Sequence, residues 1–406
     1  MNNCKIAVVI LPSLYKFGWM GSTKRYLSIV LALKKLGYEV RTIAQPYEDR
    51  EKQVALESEL SNLGDIIRVG PKVSLMRILR FPLKIISPTI FNYLVSTLWA
   101  RLVVLDTLLP KAEIPRVEFI WAMSGQSLDA AVLARRISEK YNIPWVYELH
   151  DPPIGADIVS QNELISRQHK NLLDKSSFII TNANSYKNLI VEHYKIPEKK
   201  IINIYLKIKS FKESNFESNR LNIGYFGSLS SPRNMDFLAD CSLFKSNSFG
   251  FDIKLHLAGQ GDGFASLQKK FDDRLVCHSK YSFYGLINST DVESYLSLCD
   301  AVIMVQSDVN ALQVPGKVFE LLSYQKPIIY IMDGYSETSE ILSNSGVALL
   351  VKNGDLGALD DAVESVLKFK NGELMLKSNK EYASKFLEAE LPLEISNVLN
   401  KITCYR

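Results

Sequence analysis

Three groups of residues in this 406-residue chain have the types and spacing that chemistry needs. The first is Lys317 and Glu320, within the stretch from Val314 to Tyr330. Pro315 and Gly316 set a tight turn, and Val318, Phe319, Leu321 and Leu322 give the helix that follows an apolar side. Lys317 and Glu320 lie three apart, on one face of its first turn. The opening amides, from Gly316 to Val318, lack partners inside the helix and stand at the positive end of its dipole. An anion such as a diphosphate fits there, and a carboxylate one turn on can hold sugar hydroxyls. The same spacing also reads as a surface ion pair on a connecting helix.

The second group is His150-Asp151, at the tip of an apolar run ending in Glu148 and Leu149. A His-Asp pair at a strand end can shuttle a proton or clamp a hydroxyl; packing is the alternative role. The third is a pair of glycine turns. Gly227 and Ser228 end one apolar run and precede Arg233, and Gly259, Gly261 and Gly263 end another. Arg233 falls near a helix start, where its charge opposes the dipole, a placement that makes sense with a phosphate between them. The GxGxG spacing alone fits any tight strand-to-helix turn, and no acid closes the next strand as a dinucleotide fingerprint requires. Gly18, Gly21 and Ser22 form a further turn feeding a helix.

Composition narrows the partners. Hydrophobic residues make up 47% and charged residues 23% of the chain, an ordinary soluble mix. A net charge of +4, without a basic run interleaved with aromatics, argues against nucleic acid. Cys4, Cys241, Cys277, Cys299 and Cys404 are scattered with no CxxC pair, which excludes a zinc ribbon or disulfide framework and suits a reducing compartment. P-loop, HExxH and GxSxG patterns are absent, and no paired acids at a strand end ask for a divalent metal. No metal or cofactor is therefore expected. The opening Lys5 to Leu11 is too short for a signal sequence and reads as a buried strand, which predicts the cytoplasm.

No segment reaches the ~18 apolar residues of a membrane span. The segment 71–110 is nonetheless unusual. Lys72, Arg77, Arg80, Lys84 and Arg101 stand among aromatic and aliphatic residues, and Asp106 is its only acid. Such a segment can lie in an anionic headgroup layer, which predicts contact with the inner membrane face; a helix pair packed on its own sheet is the other reading.

The elements that position these groups alternate strand and helix, the pattern of covered parallel sheets. Strands are expected near 5–11, 39–44, 117–122, 144–149 and 177–181, with helices near 22–36, 126–141 and 160–174. A polar stretch from Ile204 to Asn222 reads as a linker. The pattern then restarts, with strands near 222–227, 252–258, 300–305, 327–331 and 346–351. The tail from Ser378 is helical in composition, with an interruption at Pro392. At this length two domains are the default.

With these residues assembled, the chain resembles the GT-B glycosyltransferases of the retaining "glycosyl transferases group 1" class, most clearly over 221–365. The run from Ile223 to Ser230 with Arg233 resembles that family's phosphate loop, and Leu257 to Gly263 its second glycine turn. Phe283 to Gly285 with Val292 to Asp300 is similar to its base-binding loop and following helix, and Pro315 to Pro327 to its donor-sugar and ribose segment. The resemblance implies an α/β fold of two Rossmann-like parallel-sheet domains facing across a cleft. It implies an acceptor domain, 1–205, completed by a helix at about 380–406, and a nucleotide-sugar donor domain, 206–379. It implies transfer of a sugar from a nucleotide-diphosphate sugar to a glycan or lipid-linked acceptor, in bacterial-type surface polysaccharide assembly, without metal. Glu320 would hold the ribose, Lys317 and Arg233 the diphosphate, and Tyr284, Gly285 and Leu286 the base edge. Ser228, Gly261, Gly316 and Val318 would line the donor site, and Gly21, His150 and Asp151 would face the reacting sugar. The chain departs from the family at Leu312, where a second acid would stand, and at Ser228, where an arginine would. A nucleotide-sugar-binding subunit without catalysis, and a non-hydrolysing sugar-nucleotide epimerase, are the alternative readings of the same fold.

Overall fold

Runs such as Ile6–Ile10 and Ala301–Gln306 are buried at every position, which places each strand inside a sheet covered on both faces. The computed structural model describes residues 4–14, 21–46, 58, 60–71, 88–125, 127–151, 163–212, 220–229, 235–241, 252–274, 276–287, 289–308 and 311–403. The chain divides into two compact units, Met1–Lys207 with Glu388–Arg406, and Ile208–Leu387.

In the first unit β1 (Ile6–Ile10), α1 (Gly21–Lys35), β2 (Glu39–Ala44), β3 (Asp65–Arg68), α2 (Pro88–Leu102), β4 (Val117–Ser124), α3 (Asp129–Tyr141), β5 (Trp145–Leu149), α4 (Glu163–Lys175), β6 (Phe178–Thr181), α5 (Asn184–Tyr194) and β7 (Ile201–Asn203) follow one another. They build a seven-stranded parallel sheet in the order β3-β2-β1-β4-β5-β6-β7. The second unit holds β8 (Arg220–Phe226), β9 (Asp252–Ala258), α6 (Gly263–Asp273), β10 (Tyr281–Gly285), α7 (Ser289–Leu298), β11 (Ala301–Gln306), α8 (Gly316–Leu322), β12 (Ile328–Met332), α9 (Glu337–Ser345), β13 (Ala348–Lys352), α10 (Leu356–Lys370) and α11 (Lys380–Ser384). Its six-stranded parallel sheet has the order β10-β9-β8-β11-β12-β13. The predicted α/β class thus stands, with one doubly wound sheet in each unit. In each sheet the strand order reverses once, between β1 and β4 and between β8 and β11. The loops leaving the carboxyl ends of the strands on either side of that point splay apart and leave room for a ligand.

The tail returns to the first unit. α12 (Leu391–Thr403) packs on α1, burying Leu391, Ile395, Val398 and Ile402 in the core that holds Tyr26, Ile29 and Leu33. Pro392 does not interrupt this helix but falls in its first turn, where the amide it lacks would have no helical partner anyway. The strands at 65–68, 201–203 and 281–285 were not expected: each is short or mixed in polarity and carries no clear period. The polar run after Ile204 is not a free linker at its start, because Lys207 pairs with Glu394 of α12 at 2.7 Å.

Of the segment 71–110, positions 72–87 lie outside the described residues. α2, which follows, packs on α3 and α4 and buries Ser96, Thr97, Trp99 and Ala100. Two side chains enter its hydrogen-bond ladder: Ser127 Oγ donates to Ser96 O at 3.1 Å, and Asp129 Oδ1 accepts from the Ala100 amide at 3.0 Å. No helix is long and apolar enough to cross a membrane among the described residues.

Candidate functional site

In the second unit the loops after β8, β9 and β10 are tied edge to edge. Gly227 N donates to Ala258 O at 2.9 Å, Leu229 N to Gln260 O at 2.9 Å, Gly263 N to Leu229 O at 3.0 Å, and Gly259 N to Gly285 O at 2.8 Å. This contact is why the turns are glycine. At Gly259, with φ +144°, a Cβ would stand 1.7 Å from Gly227 O; at Gly261, with φ +130°, it would stand 2.0 Å from Leu229 O.

Lys317 reaches this loop from the other side of the reversal point. Its Nζ lies 2.3 Å from where a Cβ on Gly227 would be, and 5.3 Å from the centre of the Tyr225 ring. Tyr225 OH donates to Ser228 O at 2.7 Å and holds the loop in that shape. The structure therefore brings Gly227, Ser228, Gly261, Gly316 and Lys317 to the reversal point of one sheet, with exposed Ser228 and Gly316 at its rim. Val318 is buried and its amide donates to Pro315 O at 2.9 Å, so that amide is engaged within the turn. Glu320 lies half-buried on the Lys317 face of α8, and Leu312 is half-buried in the turn before it. Arg233 lies outside the described residues.

Two supports were not legible in the sequence. Gln306, at the end of β11 and 4% exposed, donates from Nε2 to Gln313 O at 2.9 Å and accepts from Tyr330 OH at 2.8 Å. It fixes the loop from which α8 starts. His256 in β9 accepts from Tyr284 OH at Nδ1 (2.8 Å) and donates from Nε2 to Asn222 Oδ1 (3.0 Å), the only proton arrangement that satisfies the amide oxygen. Burial, reinforced by the charges of Lys254 and Arg220, holds the His256 pKa down at about 4, so the ring is neutral. The Tyr284 side chain is thus turned into the unit, its ring parallel to His256, while Leu286 at the strand end is 63% exposed. Only the backbone of Tyr284, Gly285 and Leu286 and the Leu286 side chain remain at the rim.

In the first unit Gly21 opens α1. His150 follows β5 and is anchored by its own backbone, whose amide donates to Ser124 O at 2.9 Å and whose carbonyl accepts from Asn182 Nδ2 at 3.0 Å. Its imidazole Nε2 lies 3.0 Å from Glu148 Oε1. Glu148 in turn accepts from Arg25 Nε at 2.7 Å and from Trp121 Nε1 at 2.5 Å, while Arg25 also donates to Tyr205 O at 3.1 Å and Ile204 O at 3.3 Å. Burial alone would raise the Glu148 pKa; the Arg25 charge and the His150 hydrogen bond overcome it and hold the carboxyl at about 2. Asp151 moves the other way, raised by burial against the opposing pull of His150. The signal for this network was present: Glu148 is a charge inside an apolar strand, and Arg25 falls on the stripe of α1 that carries Ile29 and Leu33. Among the described residues no group of three side chains could hold a metal ion.

Parallel sheets that reverse once, glycine turns at the carboxyl edge and a lysine over the first of them define the class. Residues 220–368 match the family model "Glycosyl transferases group 1", and the fold is that of the GT-B glycosyltransferases. It is similar to HepE of Anabaena, solved with UDP and glucose, at 14% identity over 98% of this chain and 99% of that one, with a TM-score of 0.67. It is similar also to a glycosyltransferase from Rickettsia africae ESF-5, at 15% identity over 99% of both chains, with a TM-score of 0.68. Sucrose-phosphate synthase from Thermosynechococcus elongatus matches at 12% identity over 99% of this chain and 100% of that one, with a TM-score of 0.69. No curated protein matches the chain in sequence.

Proposed function

We propose that the chain transfers a sugar from a nucleotide-diphosphate sugar to a glycan or lipid-linked saccharide in bacterial-type surface polysaccharide assembly, with retention at the sugar carbon. The observation that carries this is Lys317 Nζ at Gly227: a cation poised over a glycine turn at the reversal point of the second sheet. A leaving diphosphate develops negative charge, and a fixed ammonium beside an uncovered backbone turn stabilises it without a metal ion. In this reading Lys317 and Arg233 hold the diphosphate, Glu320 the ribose, and the backbone from Tyr284 to Leu286 the base edge. Ser228, Gly261 and Gly316 line the site, Val318 being buried with its amide bonded to Pro315 O, and Gly21, His150 and Asp151 face the reacting sugar. HepE, with its bound UDP and glucose, supports the choice of donor class. The basic segment 71–110 supports a peripheral contact with the inner membrane face.

The test is a titration of UDP, GDP and ADP against the protein, followed by donor turnover read as nucleotide release. Binding of one nucleotide that weakens in Lys317→Ala is expected; the absence of binding to all three would remove the proposal. Leu312, in place of the family's second acid, favours a second reading, a nucleotide-sugar-binding subunit without catalysis. Nucleotide binding without any donor hydrolysis or transfer would select it.

A further inference from the structure

Glu148 does more than pack. Its carboxylate is held by three donors, Arg25 Nε, Trp121 Nε1 and His150 Nε2, drawn from α1, β4 and the tip of β5. The side chains of Arg25 and Glu148 are 1% and 2% exposed. Burying an ion pair is unfavourable unless it is well hydrogen-bonded, and apolar residues of the same volume would serve stability as well or better. A pair kept at this depth, with one lobe on the histidine at the strand tip, fits a positioning role. An ionised carboxylate can only accept, so the proton of the hydrogen bond sits on His150 Nε2. His150 Nδ1 has no hydrogen-bond partner among the described residues.

We propose that Arg25 and Glu148 are positioning residues that hold the His150 proton on Nε2 and so present Nδ1 as a hydrogen-bond acceptor. The histidine then receives a hydrogen bond from a hydroxyl or amide N–H of the bound sugar, and it does not donate one. Arg25 sets this remotely: it holds the carboxylate ionised and turned toward the ring, and the backbone oxygens of Ile204 and Tyr205 hold Arg25. The inference rests on the reading of His150 as a group that faces the reacting sugar.

The experiment is nitrogen-15 NMR of the whole chain labelled at histidine, with the His150 signals identified by their loss in His150→Gln. The spectra are recorded on the alkaline side of neutrality. In the wild type Nε2 should be the protonated nitrogen and Nδ1 the unprotonated one. The double variant Arg25→Met with Glu148→Leu removes both charges together, which avoids an unpaired buried charge. It should move His150 several-fold toward the Nδ1–H form. A wild-type His150 protonated at Nδ1, or a double variant with the wild-type tautomer ratio, overturns the proposal. These readings need no substrate, so they stand apart from the fate of the proposed activity. With a donor in hand, kcat of the double variant should fall about tenfold or more while the nucleotide KM holds. An unchanged kcat in the double variant overturns the positioning role.

Discussion

The ammonium of Lys317 occupies the space where a side chain on Gly227 would begin, 2.3 Å from the ideal Cβ position. The glycine leaves the loop open and the lysine fills the opening with charge, so each residue explains the other. If a diphosphate docks there, Lys317→Ala should weaken nucleotide binding by about 1.5–3 kcal/mol, the size of a charge-assisted hydrogen bond. Gly227→Ala should weaken it comparably while leaving the melting temperature nearly unchanged, because the displaced atom is the far end of a flexible chain. Calorimetric titration with the nucleotide that binds checks both. Equal affinity in wild type and Lys317→Ala would dismiss the lysine from the site.

Gly259 predicts a different outcome. Its Cβ would meet the carbonyl of Gly227, which is backbone and cannot swing away, and its φ of +144° is itself unfavourable for other residues. Gly259→Ala should lower stability by roughly 1–3 kcal/mol and remove nucleotide binding. Gly372 is the control, with φ +76° and nothing within 4 Å of a Cβ. Gly372→Ala carries the backbone strain alone and should leave binding intact. Thermal melts of the two variants should differ; identical shifts would mean that the loop-to-loop contact carries no stability.

His169 predicts an acid-sensitive first unit. It is fully buried between Tyr147 and Tyr194, and burial lowers its pKa from 6.5 to about 3. The unfolded chain takes up this proton near pH 6.5 and the folded chain does not. Stability from the neutral ring is therefore complete above about pH 6.5 and is lost as the pH falls toward 3, by about 4–5 kcal/mol at most. Glu148, lowered by its partners from 4.5 to about 2, adds a loss in the same direction that begins only below about pH 4.5. Melting temperatures of wild type and His169→Phe should diverge in slope between about pH 6.5 and 4.5. Parallel curves in that window would contradict the assignment.

The segment 71–110 predicts sedimentation with anionic vesicles that weakens as salt rises, because exposed charge attraction is screened over about 10 Å at 0.1 M. Converting Arg77, Arg80 and Lys84 to glutamate together should abolish it. Sedimentation of the triple variant equal to wild type would leave α2 as a helix that only packs on α3 and α4.

Much of the scaffold is local in origin and was therefore readable. A strand covered on both faces must be apolar along its length, so Ile6–Ile10, Ala301–Gln306 and Ile328–Met332 stand out with no knowledge of their neighbours. The glycine turns stand out for the same reason, since a left-handed or crowded backbone position excludes other residues wherever it occurs. β10 escaped because its residues alternate aromatic, serine and glycine, and its tyrosine side chains divide between the core and His256. Lys326 reads as a helix stop, yet its Nζ is buried and donates to the carbonyls of Leu296, Ser297 and Cys299, closing the end of α7 rather than α8.

Residue types and spacings alone determined that this chain makes two parallel α/β sheets, with polar groups gathered where strands end. Which of those groups meet was decided by strand order, because a helical crossover between parallel strands carries no local mark of the neighbour its strand will join. Only once β8 lies beside β11 does Lys317 come to stand over Gly227. Only the packing of α1 on the first sheet delivers Arg25 to Glu148, 123 positions away along the chain.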